Sequence, residues 1–232
     1  MSFAAAPAKA RCPENVAAIL AVCRALLLVL RLCGVPRLPI CVFRIFSAIP
    51  PVVAATLFPD VFVLEPARFK DNRGEFLEVF NAEDFEAVLG LTPAFVQDNV
   101  SVSRKNTVRG LHWQAAPHGQ GKLVTCATGT VFDVIVDIRP ESPAFLTART
   151  VVLSGENRRV LWIPAGYAHG FAALEDNTTV FYKVTHKRVS AAERTALWCD
   201  PALGIQWPVA AADSVMSEKD RRAAPLRTVL GL

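Results

Sequence analysis

Four histidines, His112, His118, His169 and His186, are the first candidates for chemistry, because imidazole is the side chain that trades protons near neutral pH. Two of them have informative surroundings. His112 lies in VRGLHWQ, soon after Gln97-Asp98-Asn99 and shortly before Gln120-Gly121-Lys122. His169 lies in IPAGYAHGF, directly after a hydrophobic run and a Pro/Gly turn. A lone histidine is ordinarily a hydrogen-bonded structural residue. Polar company of this kind instead suits a general base, which needs a carboxylate to fix its tautomer and stabilise the imidazolium. Competing chemistries find little support. The sequence contains no Ser nucleophile elbow, phosphate loop or dinucleotide fingerprint. Gln114 stands where a His-x-His metal pair would need its second imidazole, and no CxxC or His/Cys zinc spacing occurs. Neither a metal nor an organic cofactor is expected.

The elements that must position these residues are strands. Asn81 is expected to cap a short helix through Glu83, Asp84 and Phe85 to Leu89, closed by Gly90. Beyond it, short β-rich runs alternate with turn signals: Lys122–Ala127, Thr130–Ile138, Thr147–Leu153, Arg158–Ile163 and Thr178–Thr185. Strands at this spacing without intervening helices predict an antiparallel sandwich or barrel. In Thr130–Ile138 the alternation puts Phe132, Val134, Val136 and Ile138 on one face, and Val131, Asp133, Ile135 and Asp137 on the other. Two carboxylates on an otherwise apolar face call for solvent or a polar cavity, and in a small barrel the cavity is a serious candidate.

The chain has 232 residues, of which 52% are hydrophobic and 20% charged, so it can bury a core and is not wholly disordered. Charge is uneven along it. Residues 1–60 carry six Lys/Arg against Glu14 and Asp60, which leaves 19 basic and 19 acidic residues in the rest. A neutral body argues against a nucleic-acid-binding face. Residues 1–56 therefore read as an apolar, basic leader and residues 57–232 as the folded domain. The leader's VAAILAVCRALLLVLRLCGV (16–35) has almost the length of a membrane span, but Arg24 and Arg31 interrupt it on one helical face, which better suits a surface helix. Membrane contact is expected only through this leader. Four cysteines, Cys12, Cys23, Cys33 and Cys41, lie in the leader. Cys126 and Cys199 in the body read as reduced structural thiols of a cytoplasmic protein.

Six segments then carry a resemblance. FKDNRGEFLEVF, VQDNVSVSRKNTVRGLHWQ, QGKLVTCATGTVFDVIVDIRPESPAF, LWIPAGYAHGFAAL, CDPALGIQWP and SEKD followed by Pro225-Leu226 resemble, in order and spacing, the dTDP-4-dehydrorhamnose 3,5-epimerases. The match covers nearly all of residues 60–232. It implies an all-β cupin-type jelly-roll barrel with a few short helices, and an isomerase that needs no cofactor. The implied reaction removes the proton beside the 4-keto group of a dTDP-4-keto-6-deoxyhexose, in dTDP-rhamnose biosynthesis. By the same resemblance His112 is the base, Asp220 its carboxylate partner, and Lys122 the cation that stabilises the enolate at O4. Arg73 and Arg109 are implied as diphosphate ligands, and Phe76 as the ring packed on thymine. Glu78, Gln97, Asn99 and His169 are implied as nucleotide or pocket contacts, with Asp133 orienting a neighbour. The family also implies a homodimer, with an early strand near Phe62–Phe69 crossing to the partner.

One segment departs from the family. The tyrosine expected shortly after the YK strand is absent: Lys187 and Arg188 fill its window in YKVTHKRVSAAER, and Ser190 replaces the following proline. Tyr167 and Tyr182 are the chain's two tyrosines, and both belong to strand motifs. Inversion needs a proton from the face opposite the base. The departure therefore predicts impaired inversion at one or both ring carbons, with C3 favoured. The alternatives it raises are a 3-epimerase, a ketoisomerase, or a catalytically degenerate sugar-nucleotide-binding cupin.

Overall fold

The computed structural model describes residues 50–232. The leader's cysteines and its 16–35 stretch lie outside the described residues, and the expected 56/57 boundary falls inside the first strand. Among the described residues no helix is long and apolar enough to cross a membrane.

Two antiparallel sheets carry the fold. The larger contains β1 (Val52–Phe58), β2 (Val61–Glu65), β10 (Val160–Ile163), β7 (Lys122–Thr128), β12 (Thr178–Val184) and β5 (Gln97–Ser103), in that spatial order. The smaller contains β13 (Glu193–Thr195), β6 (Val108–Gln114), β11 (Tyr167–Ala173), β8 (Thr130–Asp137) and β9 (Ala148–Ser154). A separate hairpin, β3 (Arg68–Asp71) with β4 (Gly74–Leu77), pairs only with itself. The five expected runs all appear as strands, within a residue or two of their expected ends. Helix α1 (Ala82–Leu89) is capped by Asn81, whose side chain accepts from the Glu83 and Asp84 amides, and it closes on left-handed Gly90.

The main core lies between the sheets. Val61, Val63, Val124, Cys126, Leu161 and Val180 of one sheet meet Val131, Ile135, Leu153, Tyr167 and Phe171 of the other. The alternation in β8 holds, because Val131 and Ile135 enter this core while Val134, Val136 and Ile138 join a second cluster outside the smaller sheet. That outer cluster includes Leu111, Trp113, Ala196 and fully buried Leu226, so the C-terminal segment is folded back over the sheet. Phe85 of α1 packs with Leu64, Leu123, Val160 and Trp162 against the larger sheet's outer face. Cys126 and Cys199 are free thiols.

Close backbone approach sets the register of the site. At Gly110, where φ is +126°, an added Cβ would lie 2.6 Å from Gly170 Cα and 2.8 Å from the His169 carbonyl. Two glycines facing each other let β6 and β11 approach closely, and their register aligns His112 with His169. The Cβ of Gly110→Ala meets the β11 backbone, so no side chain can move aside. Urea denaturation should show it destabilised by about 3 kcal/mol or more.

Candidate active site

A cavity of about 340 Å³ opens between the two sheets. It lies where the alternating inward positions change from apolar to polar. On the larger sheet Gln97, Asn99 and Ser101 of β5, Lys122 of β7 and Tyr182 of β12 face it. On the smaller sheet Arg109, His112 and Gln114 of β6, His169 of β11 and Glu193 of β13 face it.

His112 is held from far along the chain. Val215 bonds alongside Asn106 and Val108, and Leu226 inserts under the smaller sheet. Between these anchors runs the short helix α2 (Glu218–Arg221), capped by the Ser217 side chain. Asp220 on α2 is buried, and its Oδ1 lies 2.5 Å from His112 Nε2. Burial pushes the Asp220 carboxyl upward, but the His112 hydrogen bond and charge, with Ser217 and Lys219, outweigh it and hold the group below its ordinary value. An ionised carboxylate only accepts, so Nε2–H donates to it, and the neutral His112 ring then carries its lone pair on Nδ1. His169 has a matching partner: its Nε2 lies 2.9 and 3.0 Å from the two oxygens of fully buried Asp133.

Lys122 supplies a cation on the opposite wall. It is 9% exposed, and its Nζ donates to the His112 carbonyl at 3.3 Å. Desolvation pulls its pKa down to about 8, with Asp133 opposing. A buried ammonium without a carboxylate in contact is costly to the fold but well suited to meet a developing oxyanion.

The structure brings together His112, Asp220, Lys122, Gln97, Asn99, Arg109 and His169 around the cavity, with Asp133 behind His169. It does not bring in Arg73, Phe76 or Glu78. All three are exposed and lie on or just beyond the β3–β4 hairpin, away from the cavity of their own chain. Arg73 is paired with Asp71 at 2.6 Å, and Phe76 is 53% exposed. The stretch 62–69 is divided between β2, paired on both sides within the chain, and β3.

The sequence reading missed one group. Tyr182 lines the cavity, on the sheet opposite His112. The expectation that no phenol faces the base is therefore corrected. In TTVFYKV, period-two alternation sends Val180, Tyr182 and Val184 inward while Lys183 pairs outside with Asp98 at 2.8 Å, a signal that was available in the sequence. Among the described residues no three His, Cys, Asp or Glu side chains converge on a metal-sized point.

A carboxylate-held imidazole facing a buried ammonium across the interior of a jelly roll defines an enzyme built to abstract a proton next to a carbonyl. The comparisons make the assignment specific. A family profile described as dTDP-4-dehydrorhamnose 3,5-epimerase matches residues 55–228. The dTDP-4-dehydrorhamnose 3,5-epimerase of Salmonella typhimurium is 50% identical over 175 residues, covering 75% of this chain and 94% of that protein. The structure of dTDP-6-deoxy-D-glucose-3,5-epimerase from Legionella pneumophila, in complex with dTDP-4-keto-L-rhamnose, superposes with a TM-score of 0.73 at 42% identity, covering 76% of this chain and 93% of that one. The Bacillus anthracis dTDP-4-dehydrorhamnose 3,5-epimerase, with TDP and PPi bound, gives 0.73 at 44% identity, covering 76% and 99%. The chain belongs to the dTDP-4-dehydrorhamnose 3,5-epimerase family. It is an isomerase.

Lys122 sets opposing demands on stability and activity. The unfolded lysine binds its proton up to an ordinary pKa of 10.5, the folded one only up to about 8, so stability rises as pH climbs between these values and the buried charge is a burden below them. Lys122→Met should thus stabilise the fold at pH 7 by about 1–2 kcal/mol while lowering kcat by about 10²–10³. Paired denaturation and turnover measurements check both signs. In the unmodified protein the basic limb of kcat should fall near pH 8, as the ammonium is lost.

Proposed function

We propose that this chain inverts C3 and C5 of a dTDP-4-keto-6-deoxyhexose by successive proton transfers at the two carbons flanking the ketone. The observation that carries this reading is the placement of the His112–Asp220 pair and Tyr182 on opposing sheets of one cavity, with Lys122 buried between the sheets. His112 Nδ1 takes the proton from the ring carbon. The C–H electron pair moves into the ring and the charge collects on O4, where Lys122 meets it. Asp220 stabilises the imidazolium and keeps the ring in one orientation. The Tyr182 phenol returns a proton to the same carbon from the far side, which changes its configuration. His169, fixed by Asp133, borders the sugar. Gln97, Asn99 and Arg109 bind the nucleotide portion, with the Arg109 guanidinium suited to a phosphate. An acid on the opposite wall favours inversion over binding alone.

Arg73, Phe76 and Glu78 act, in this proposal, on a partner's site within a homodimer. Support comes from their exposure on a hairpin outside both sheets, and from edge strand β5, which turns Val100 and Val102 outward. Two free thiols agree with a cytoplasmic setting. The family profile's match to residues 55–228 supports a folded domain over residues 57–232.

Incubation with dTDP-4-keto-6-deoxyglucose in heavy water, followed by NMR, separates abstraction from inversion. The unmodified protein should place deuterium at both C3 and C5. His112→Ala should abolish exchange, while Tyr182→Phe should keep exchanging and invert about 10²–10⁴ more slowly. Exchange at the normal rate by His112→Ala would refute the assignment of the base. Mixing His112→Ala with Arg73→Ala should restore part of the activity if each copy completes its partner's site. A monomer by sedimentation at micromolar concentration would refute the dimer.

A further inference from the structure

The departure at Lys187-Arg188 leaves an arginine where the family pattern has a phenol, and the fold takes unusual care to place it. Gln114 is buried on β6, two residues after the base. Its amide donates to the Lys187 carbonyl at 3.2 Å, and its Oε1 accepts from the Val189 amide at 2.6 Å. The backbone groups on either side of Arg188 are thus pinned by one side chain. The guanidinium is fixed separately: Nε and Nη2 donate to the two Glu193 oxygens at 2.6 and 3.0 Å. Glu193 sits opposite Gln114 in the β13–β6 register, so the two clamps are neighbours. An exposed loop arginine has no need of either. Arg188 and Tyr182 line the same cavity.

We propose that Arg188 is a positioning residue of this site: clamped by Gln114 and Glu193, it holds a cation beside the Tyr182 phenol and eases release of the phenol's proton. The proposal rests on the reading of Tyr182 as the acid. Burial raises the proton affinity of that phenol, Arg109 and Arg188 lower it, and Glu193 raises it.

The other charged groups around the phenol also have partners. From β6, Arg109 is tied to Ser103 Oγ at 3.2 Å, and His112 is held by Asp220. A bound diphosphate would also neutralise Arg109 in the working complex. From β7, Lys122 bonds to the His112 carbonyl, and on β11 His169 is held by Asp133. From β13, Arg194 donates to the Ala191 and Glu193 carbonyls. From α2, Lys219 reaches Glu193 at 3.8 Å. Strand β5 presents only the uncharged Gln97, Asn99 and Ser101 to the cavity. Arg188 is itself paired with Glu193, so the phenol feels the difference between these two charges, and removing either one shifts it in the opposite direction from removing the other.

The chain's having two tyrosines makes this directly measurable. Burial and its hydrogen bond to Asp60, 2.5 Å away, raise the proton affinity of Tyr167, with Arg139 opposing. The full-length protein made with 3,5-difluorotyrosine, which ionises at lower pH than tyrosine, then reports Tyr182 as the titrating fluorine signal. Tyr182→Phe confirms the assignment by removing that signal. Arg188→Ala should move the midpoint up, Glu193→Gln should move it down, and Arg188→Lys should recover part of the loss. With natural tyrosine, Arg188→Ala should lower kcat at neutral pH about three- to tenfold and leave KM nearly unchanged, a fraction of what a complete general acid supplies. A stationary midpoint in Arg188→Ala overturns the proposal. So does a raised KM with unchanged kcat, which would make Arg188 a substrate ligand. If Tyr182→Phe inverts substrate at the normal rate, the acid assignment fails, while the fluorine midpoint still decides whether Arg188 acts on the phenol.

Discussion

The contact between His112 and Asp220 joins residues 108 positions apart, and much of the molecule exists to make it. The base sits on a central strand of the smaller sheet, but its carboxylate comes from the C-terminal segment. That segment must therefore pass over the outer face of the sheet and return to the cavity's rim. Leu226, fully buried among Leu111, Trp113 and Val136, holds it down. The Leu226 amide donates to Asp200 Oδ2 at 2.8 Å, and Leu197 donates to the Ala224 carbonyl at 2.8 Å. The apolar back of the sheet thus performs two tasks: it closes a core, and it delivers a carboxylate to an imidazole on the other side.

The charges inside the cavity follow a consistent economy. Two buried carboxylates are tied to the histidines of the cavity, Asp220 to His112 and Asp133 to His169. Lys122 is buried and meets no carboxylate within ion-pair distance among the described residues, and desolvation pulls its pKa down accordingly. A protein selected only for stability would place methionine or leucine there. An enzyme that must stabilise an enolate keeps an ammonium whose partner arrives only during the reaction. Glu193 extends the same logic at the mouth, where Arg188 and Lys219 both reach it.

The segment at 187–188 shows how a catalytic site can tolerate change. The segment after β12 carries no tyrosine, yet its backbone is fastened by Gln114, and Gln120 donates to the His186 carbonyl at 2.6 Å. Because the segment is held through its backbone, its side chains can vary without moving β12. Tyr182 is placed by the sheet, not by the loop that follows it.

Much of this protein is legible in its residues. Period-two alternation identifies the strands and puts Asp133 on the inward face of β8, and Asn81 with Gly90 marks both ends of α1, because these features depend on neighbours within a few positions. The ordered motifs identify the family and point to His112, Lys122 and Asp220. The tertiary structure decided the rest. Which strand faces lie across from one another depends on sheet order, so only the fold shows Tyr182 opposite His112. Which candidates meet in one cavity depends on where each element ends in space, and for that reason Arg73, Phe76 and Glu78 stand apart on the hairpin although their motif reads as part of the site. Local sequence specifies the direction of each side chain from its own strand, but the distance between two side chains is set by the packing of elements far apart in the chain.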